Sequence, residues 1–217
     1  MQKIIRYALS FPKTLYLNLK IFNFFTAIKL PIWVAYNTKI DRVYKGCIQF
    51  EGEIKKITFG IHRSSFLRDD KGYLNFSRDG KMIFRGRADF GTGCLINVGG
   101  EIIIGEDFST NYGCILSCEK SIEIGKDVLL GWNVSIIDSD GHSITKDGLK
   151  VNHAQKILIG NHVWICSKST ILKGASIGTD CVVAYGSIVS KKLQDFQKVI
   201  LGGSNSEILK QGYNWEK

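Results

Sequence analysis

The sequence predicts an all-β chain wound into a parallel β-helix, a triangular coil with six-residue sides, preceded by a mixed extension of a short helix and short strands. Three observations carry this expectation. A large apolar residue recurs every sixth position: Phe84, Phe90, Ile96, Ile102; then Ile104, Thr110, Leu116, Ile122; then Ile124, Leu130, Ile136. After a break the series resumes at Ile159, Ile165, Ile171, Ile177, Val183 and Val189, and only Thr110 departs from it. Small residues often follow, as at Gly91, Gly105, Gly125, Gly131, Gly160, Gly178 and Ala184. Finally, the 217 residues include 23 Gly but only 2 Pro, so glycine, asparagine and aspartate must make the corners.

Alternate residues of a strand point the same way, so one large and one small inward residue per side suit a narrow prism. Three sides make a coil of about 18 residues, stacked on the next by parallel hydrogen bonds. The phase slips by two at 102→104 and 122→124, which predicts 20-residue coils with Cys94 under Cys114 and Ile104 under Ile124. Cys94, Cys114 and Cys181 then fill a thin core.

Taken in order, residues 1–36 form an apolar, basic segment with a helix predicted over roughly 14–28, stopped before Pro31. Residues 37–80 contain short strands at Cys47–Phe50, Ile57–Phe59 and Leu74–Phe76, expected to cap the coil. The coil proper is expected over 81–203, interrupted by a protruding loop at 137–158, with a tail at 204–217. Eight Lys/Arg against one acidic residue in the first 50 positions concentrate the net charge of +9 near that end. This points to an anionic partner surface there, while no nucleic-acid reading pattern is present. The six cysteines show no CxxC, and no metal-ligand spacing occurs, so a reduced, cytoplasmic chain without a metal is expected. Lysines interrupt every apolar run, which argues against a signal peptide or a spanning helix.

The stretches Ile159-Gly160-Asn161-His162-Val163-Trp164-Ile165, Ile171-Leu172-Lys173-Gly174-Ala175-Ser176-Ile177-Gly178 and Gly186-Ser187-Ile188-Val189 resemble the left-handed β-helix, hexapeptide-repeat acyltransferases. The resemblance spans roughly residues 84–203 and is closest to acetyl-CoA-dependent maltose and galactoside O-acetyltransferases. Residues 10–35 look like the branch found in capsule and lipopolysaccharide biosynthesis. It implies a homotrimer with active sites between neighbouring copies, acetyl-CoA as donor and a sugar hydroxyl, on a lipid-linked or nucleotide-linked saccharide, as acceptor.

The resemblance also places a general base at His142, within the interrupting loop. The chemistry agrees: a hydroxyl attacking a thioester must lose its proton, and imidazole takes it near neutral pH. Asp138 or Asp140 is expected to orient the ring, with a backbone carbonyl as the alternative. Asn111 resembles the family's acceptor-positioning asparagine, and His153 is a further candidate for the acceptor cleft. The coenzyme groove is expected along Trp164, Cys166, Ser167, Ala184, Tyr185 and Gly186, with Lys191 and Lys192 reaching its phosphates. Backbone amides near 131–133 or 165–167 are the expected oxyanion donors. Cys166 and Ala184-Tyr185-Gly186 stand where the family has glycine and Gly-Ala-Gly. The proline usual in the terminal motif is missing from Leu201-Gly202-Gly203-Ser204-Asn205-Ser206.

Two other functions stand beside this one: N-acylation of an amino-sugar nucleotide or other small acceptor, and a non-catalytic β-helix scaffold. For the basic N-terminal segment, peripheral docking on the inner membrane face and packing across the trimer or the coil end are both open.

Overall fold

A computed structural model describes residues 2–62 and 70–216. Three parallel sheets form the sides of one left-handed coil. The first stacks Ile32–Val34, Ile57–Phe59, Ala88–Phe90, Phe108–Thr110, Leu129–Leu130, Trp164–Ile165, Val182–Val183 and Val199–Gly202, closed by antiparallel Glu207–Gln211. The second stacks Lys39–Ile40, Tyr73–Phe76, Leu95–Val98, Ile115–Cys118, Ser135–Ile137, Thr170–Leu172 and Ile188–Val189. The third stacks Ile48–Phe50, Lys81–Phe84, Glu101–Ile104, Ser121–Ile124, Ile157–Ile159, Ser176–Ile177 and Lys192–Leu193. The chain visits the sheets in that order, so each coil adds one strand to every side. The first corner joins the first sheet to the second, the second corner joins second to third, and the third corner returns to the first.

Every position of the six-residue series is buried, Thr110 included. Ile104 pairs with Ile124 and Leu95 with Ile115, so the 20-residue stacking is as expected. The two extra residues sit at the second corner, where Val98 and Cys118 add a further inward pair in register. The wider early coils hold phenylalanine: Phe59 stacks on Phe90 at 4.6 Å, and Phe90 packs against Phe108 at 5.3 Å. The narrower later coils hold Ile165, Ile171, Val183 and Val189. The glycines after the apolar residues have a different task from filling the core. At the third corner, a Cβ on Gly105, Gly125 or Gly160 would lie 2.4–2.8 Å from backbone atoms of the next coil, so only glycine lets the coils stack this closely.

Two expectations need correcting. Residues 37–80 are not a separate cap, because the strands between Lys39 and Phe76 are themselves the early turns of the coil, which begins at Ile32. Their spacing escapes the six-residue pattern because longer connections separate the strands there, as between Ile40 and Ile48 and between Phe50 and Ile57. The cap is instead α1 (Gln2–Ile21), longer and earlier than the predicted helix and running through Pro12. It ends at Ile21, and Asn23 starts α2 (Phe24–Ala27) by accepting the Thr26 amide at 3.0 Å.

The face that α1 turns to the coil is largely polar. Asn18 Nδ2 donates to Ile32 O at 2.7 Å, and its Oδ1 accepts Ile32 N at 3.2 Å. Thr14 Oγ1 does the same for Val34, Ser10 Oγ accepts Tyr36 N, and Arg6 donates to Gly60 O. A parallel coil exposes a row of unpaired amides and carbonyls at its end, and these side chains replace the missing strand. Asn18→Leu is therefore expected to cost about 2–3 kcal/mol, read from urea unfolding, because it strands both backbone groups of Ile32 in a buried place.

Candidate active site

The loop 137–158 leaves the coil at the second corner. It carries a small antiparallel ribbon, Thr145–Lys146 with Leu149–Lys150, and residues 141–151 are exposed. Asp138 is fully buried at its root. Its carboxylate accepts the amides of Glu119, Lys120 and Ser121 at 2.7–2.8 Å and the Cys118 thiol at 3.4 Å. It therefore holds the corner of the coil below and does not orient His142. Burial and the neighbouring carboxylate push the Cys118 thiol well above its ordinary range.

Asp140 receives hydrogen bonds from Lys173 and, at 2.7 Å, from Asn152 Nδ2. These hold its carboxyl below the ordinary carboxylate range. Because the folded value is depressed, this anchor is present at neutral pH and is lost only as the pH falls through that lowered value. The residue that sequence reasoning missed is Asn152. Nearly buried, it accepts the Ile144 amide at 2.6 Å and donates to Asp140 and, at 2.7 Å, to the His142 carbonyl. One amide side chain thus fixes both sides of the histidine. A lone asparagine in a polar loop carries no sequence signal for this. The His142 imidazole is exposed and has no hydrogen-bond partner among the described residues, so neither aspartate orients its ring within one chain. His153 is exposed in the irregular returning part of the loop.

The other candidates divide between two corners. Asn111, Cys166, Ser167, Ala184, Tyr185 and Gly186 form a column along the first corner, where successive coils superpose them. Asn111 is partly buried, its Nδ2 donating to Leu130 O at 3.3 Å. Tyr185 projects into solvent with Lys168 5.7 Å from its ring, and burial raises the Cys166 thiol above its usual range, away from a ready thiolate nucleophile. Trp164 faces outward on the first sheet. Beside it, Trp215 of the tail stacks on His162 at 4.5 Å and donates to the His162 carbonyl. Lys191 and Lys192 are exposed at the second corner, on the His142 side of the second sheet and apart from the Tyr185 column.

The expected oxyanion donors narrow as well. The amides of Gly131, Trp132 and Asn133 already bond Ile165 O, Ser167 Oγ and Tyr112 O, since stacked coils consume most corner amides. Cys166 N bonds Val183 O, which leaves Ser167 N without an acceptor among the described residues. Among the described residues, no group of three or more His, Cys, Asp or Glu side chains is arranged to hold a metal ion.

No protein-family model matches the chain. It is 35% identical to a galactoside O-acetyltransferase of Escherichia coli over 98 residues, 44% of this chain and 47% of that protein. A crystal structure of the polySia-specific acetyltransferase NeuO superposes with a TM-score of 0.56 at 23% identity, covering 83% of this chain and 89% of that one. The chain has the left-handed β-helix fold of the O-acetyltransferases it resembles. The same fold extends to AntD, an N-acyltransferase from Bacillus cereus, with a TM-score of 0.52 at 14% identity over 83% and 79% of the two chains. The chain spans about half the length of the galactoside relative.

Proposed function

We propose that this protein transfers an acetyl group from acetyl-CoA to a sugar hydroxyl in surface-polysaccharide biosynthesis, in the cytoplasm, with His142 as general base. The observation that carries this reading is the His142 loop: the single long interruption of the later coils, clamped at its root by Asp138 and around the histidine by Asn152. The names of the galactoside and polySia relatives support the sugar acceptor, and the six free cysteines fit a reducing compartment.

In this mechanism the acceptor hydroxyl gives its proton to the imidazole as its oxygen attacks the thioester carbonyl. The tetrahedral oxyanion is met by Ser167 N–H. The C–S bond then breaks, and the coenzyme thiolate takes the proton from the imidazolium.

The two corners explain why we place the reaction between copies. The strands of the second sheet separate Asn111 and the Tyr185 column from the His142 loop by about 10–13 Å within one chain. A second copy docking its first corner against this loop brings the two halves together, and three copies close the ring. Mixing inactive His142→Ala and Asn111→Ala proteins after unfolding and reassembly is the test, with galactosides and polysialic acid as acceptors. Random trimers are expected to recover about a quarter of wild-type activity. No recovery would mean that both residues serve a site within one copy.

Asn152→Ala is expected to lower kcat about 10–100-fold with acetyl-CoA affinity unchanged, because it frees the His142 backbone and spares the first corner. Steady-state kinetics and calorimetry on the same sample separate the two effects. N-acyl transfer, favoured by the AntD likeness in fold, is distinguished by offering amine and hydroxyl acceptors side by side.

A further inference from the structure

The N-terminal helices present a largely apolar outer face. Because α1 spends Arg6, Ser10, Thr14 and Asn18 on the free edge of the coil and packs only Leu17 and Ile21 of its large apolar residues into the core, most of its other apolar side chains face away from the protein. Ile4 is 74% exposed, Leu9 57% and Leu19 46%; on α2, Phe24 is 64% and Phe25 77% exposed, with Ile28 beyond them at 52%. The two phenylalanine rings lie edge to face at 6.0 Å and form a protruding aromatic pair. A contiguous surface of this kind marks contact with something apolar.

Charge says what that is. Residues 1–36 carry Lys3, Arg6, Lys13, Lys20 and Lys29 and no Asp or Glu. Lys20, its ammonium against Tyr16, and Lys29 are exposed and flank the aromatic pair in the sequence. Lys29 also lines a groove of about 490 Å³ with Lys55, Lys56, Trp33 and Ile54. Among the described residues Glu53 is the one carboxylate lining it, and it pairs with Lys55. Two copies placed face to face would set lysine against lysine. An anionic bilayer instead offers hydrocarbon to the phenylalanines and phosphates to the lysines. The surface also looks along the coil axis, away from the sheet faces and corners that carry the site. No helix among the described residues is long and apolar enough to cross a membrane.

We infer that α1 and α2 dock the protein on the surface of an anionic phospholipid bilayer, with Phe24 and Phe25 inserted at the interface and Lys20 and Lys29 against headgroup phosphates. The coil then stands upright on the membrane with its corners open to lipid-linked molecules.

The test is co-sedimentation of the full chain with vesicles of equal parts phosphatidylglycerol and phosphatidylcholine, against pure phosphatidylcholine. The wild type is expected to bind the anionic vesicles and to release as salt rises, each lysine near the surface being worth about fivefold in affinity. Phe24→Glu/Phe25→Glu should weaken binding at least about tenfold with an unchanged melting temperature, since neither ring is packed in the core. Lys20→Glu/Lys29→Glu should weaken it with both rings intact. Equal binding to the two vesicle types, or a Phe24→Glu/Phe25→Glu protein that sediments like wild type, overturns the inference. So does a variant that changes only the oligomeric state, which would make this face a contact between copies. None of these readings depends on acetyl transfer.

Discussion

Replacing His142 by alanine is expected to lower acetyl transfer about 10³-fold while leaving acetyl-CoA affinity and thermal stability unchanged. The imidazole is exposed and makes no hydrogen bond among the described residues, so its removal strands none of their polar groups. The site on the first corner, where the coenzyme is read to lie, is untouched. What is lost is the group that takes the acceptor proton. Thiol release from acetyl-CoA in the presence of acceptor reads the rate, and a melting curve reads the fold. A variant with tenfold or smaller loss would remove the histidine from the base role and leave the loop as a positioning element.

The second large effect falls on the neighbouring carboxylate and has the opposite character. Asp138→Ala is expected to cost about 3–5 kcal/mol of stability, because three backbone N–H groups at the second corner lose their acceptor together. In a chain of this size that is a fall of roughly 10 °C in Tm. Asp138→Asn keeps the volume but offers one oxygen in place of two, and should lie between wild type and alanine. Both losses are to be read by urea unfolding monitored by circular dichroism. If Asp138→Ala melts like wild type but loses turnover, the carboxylate belongs to the chemistry after all.

The contrast between these residues shows where sequence legibility ended. The coil was legible because a narrow prism permits only one size class at each inward position, so Phe84 through Val189 announce themselves by spacing. The 20-residue coils and the cysteine stack followed from the same constraint. The loop that carries His142 was legible because it interrupts that rhythm. Asp138 was not, since a buried aspartate that caps amides and a catalytic aspartate look alike beside a histidine in a loop. Asn152 was invisible for the same reason. The division of Lys191 and Lys192 from the Tyr185 column depends on which corner each occupies, and that is set by counting strands around the coil. The helix start was not legible because its first half meets the coil through Arg6, Ser10 and Thr14, and only Leu17 and Ile21 carry the apolar signal toward the core.

The most direct measurement of the central claim is calorimetric titration of the full chain with acetyl-CoA. The account predicts one site per chain with micromolar affinity, about −8 kcal/mol, undiminished by His142→Ala. No binding at millimolar ligand would contradict it, because Cys166 and Tyr185 would then have closed the first corner to the coenzyme and the histidine would have no thioester to work on.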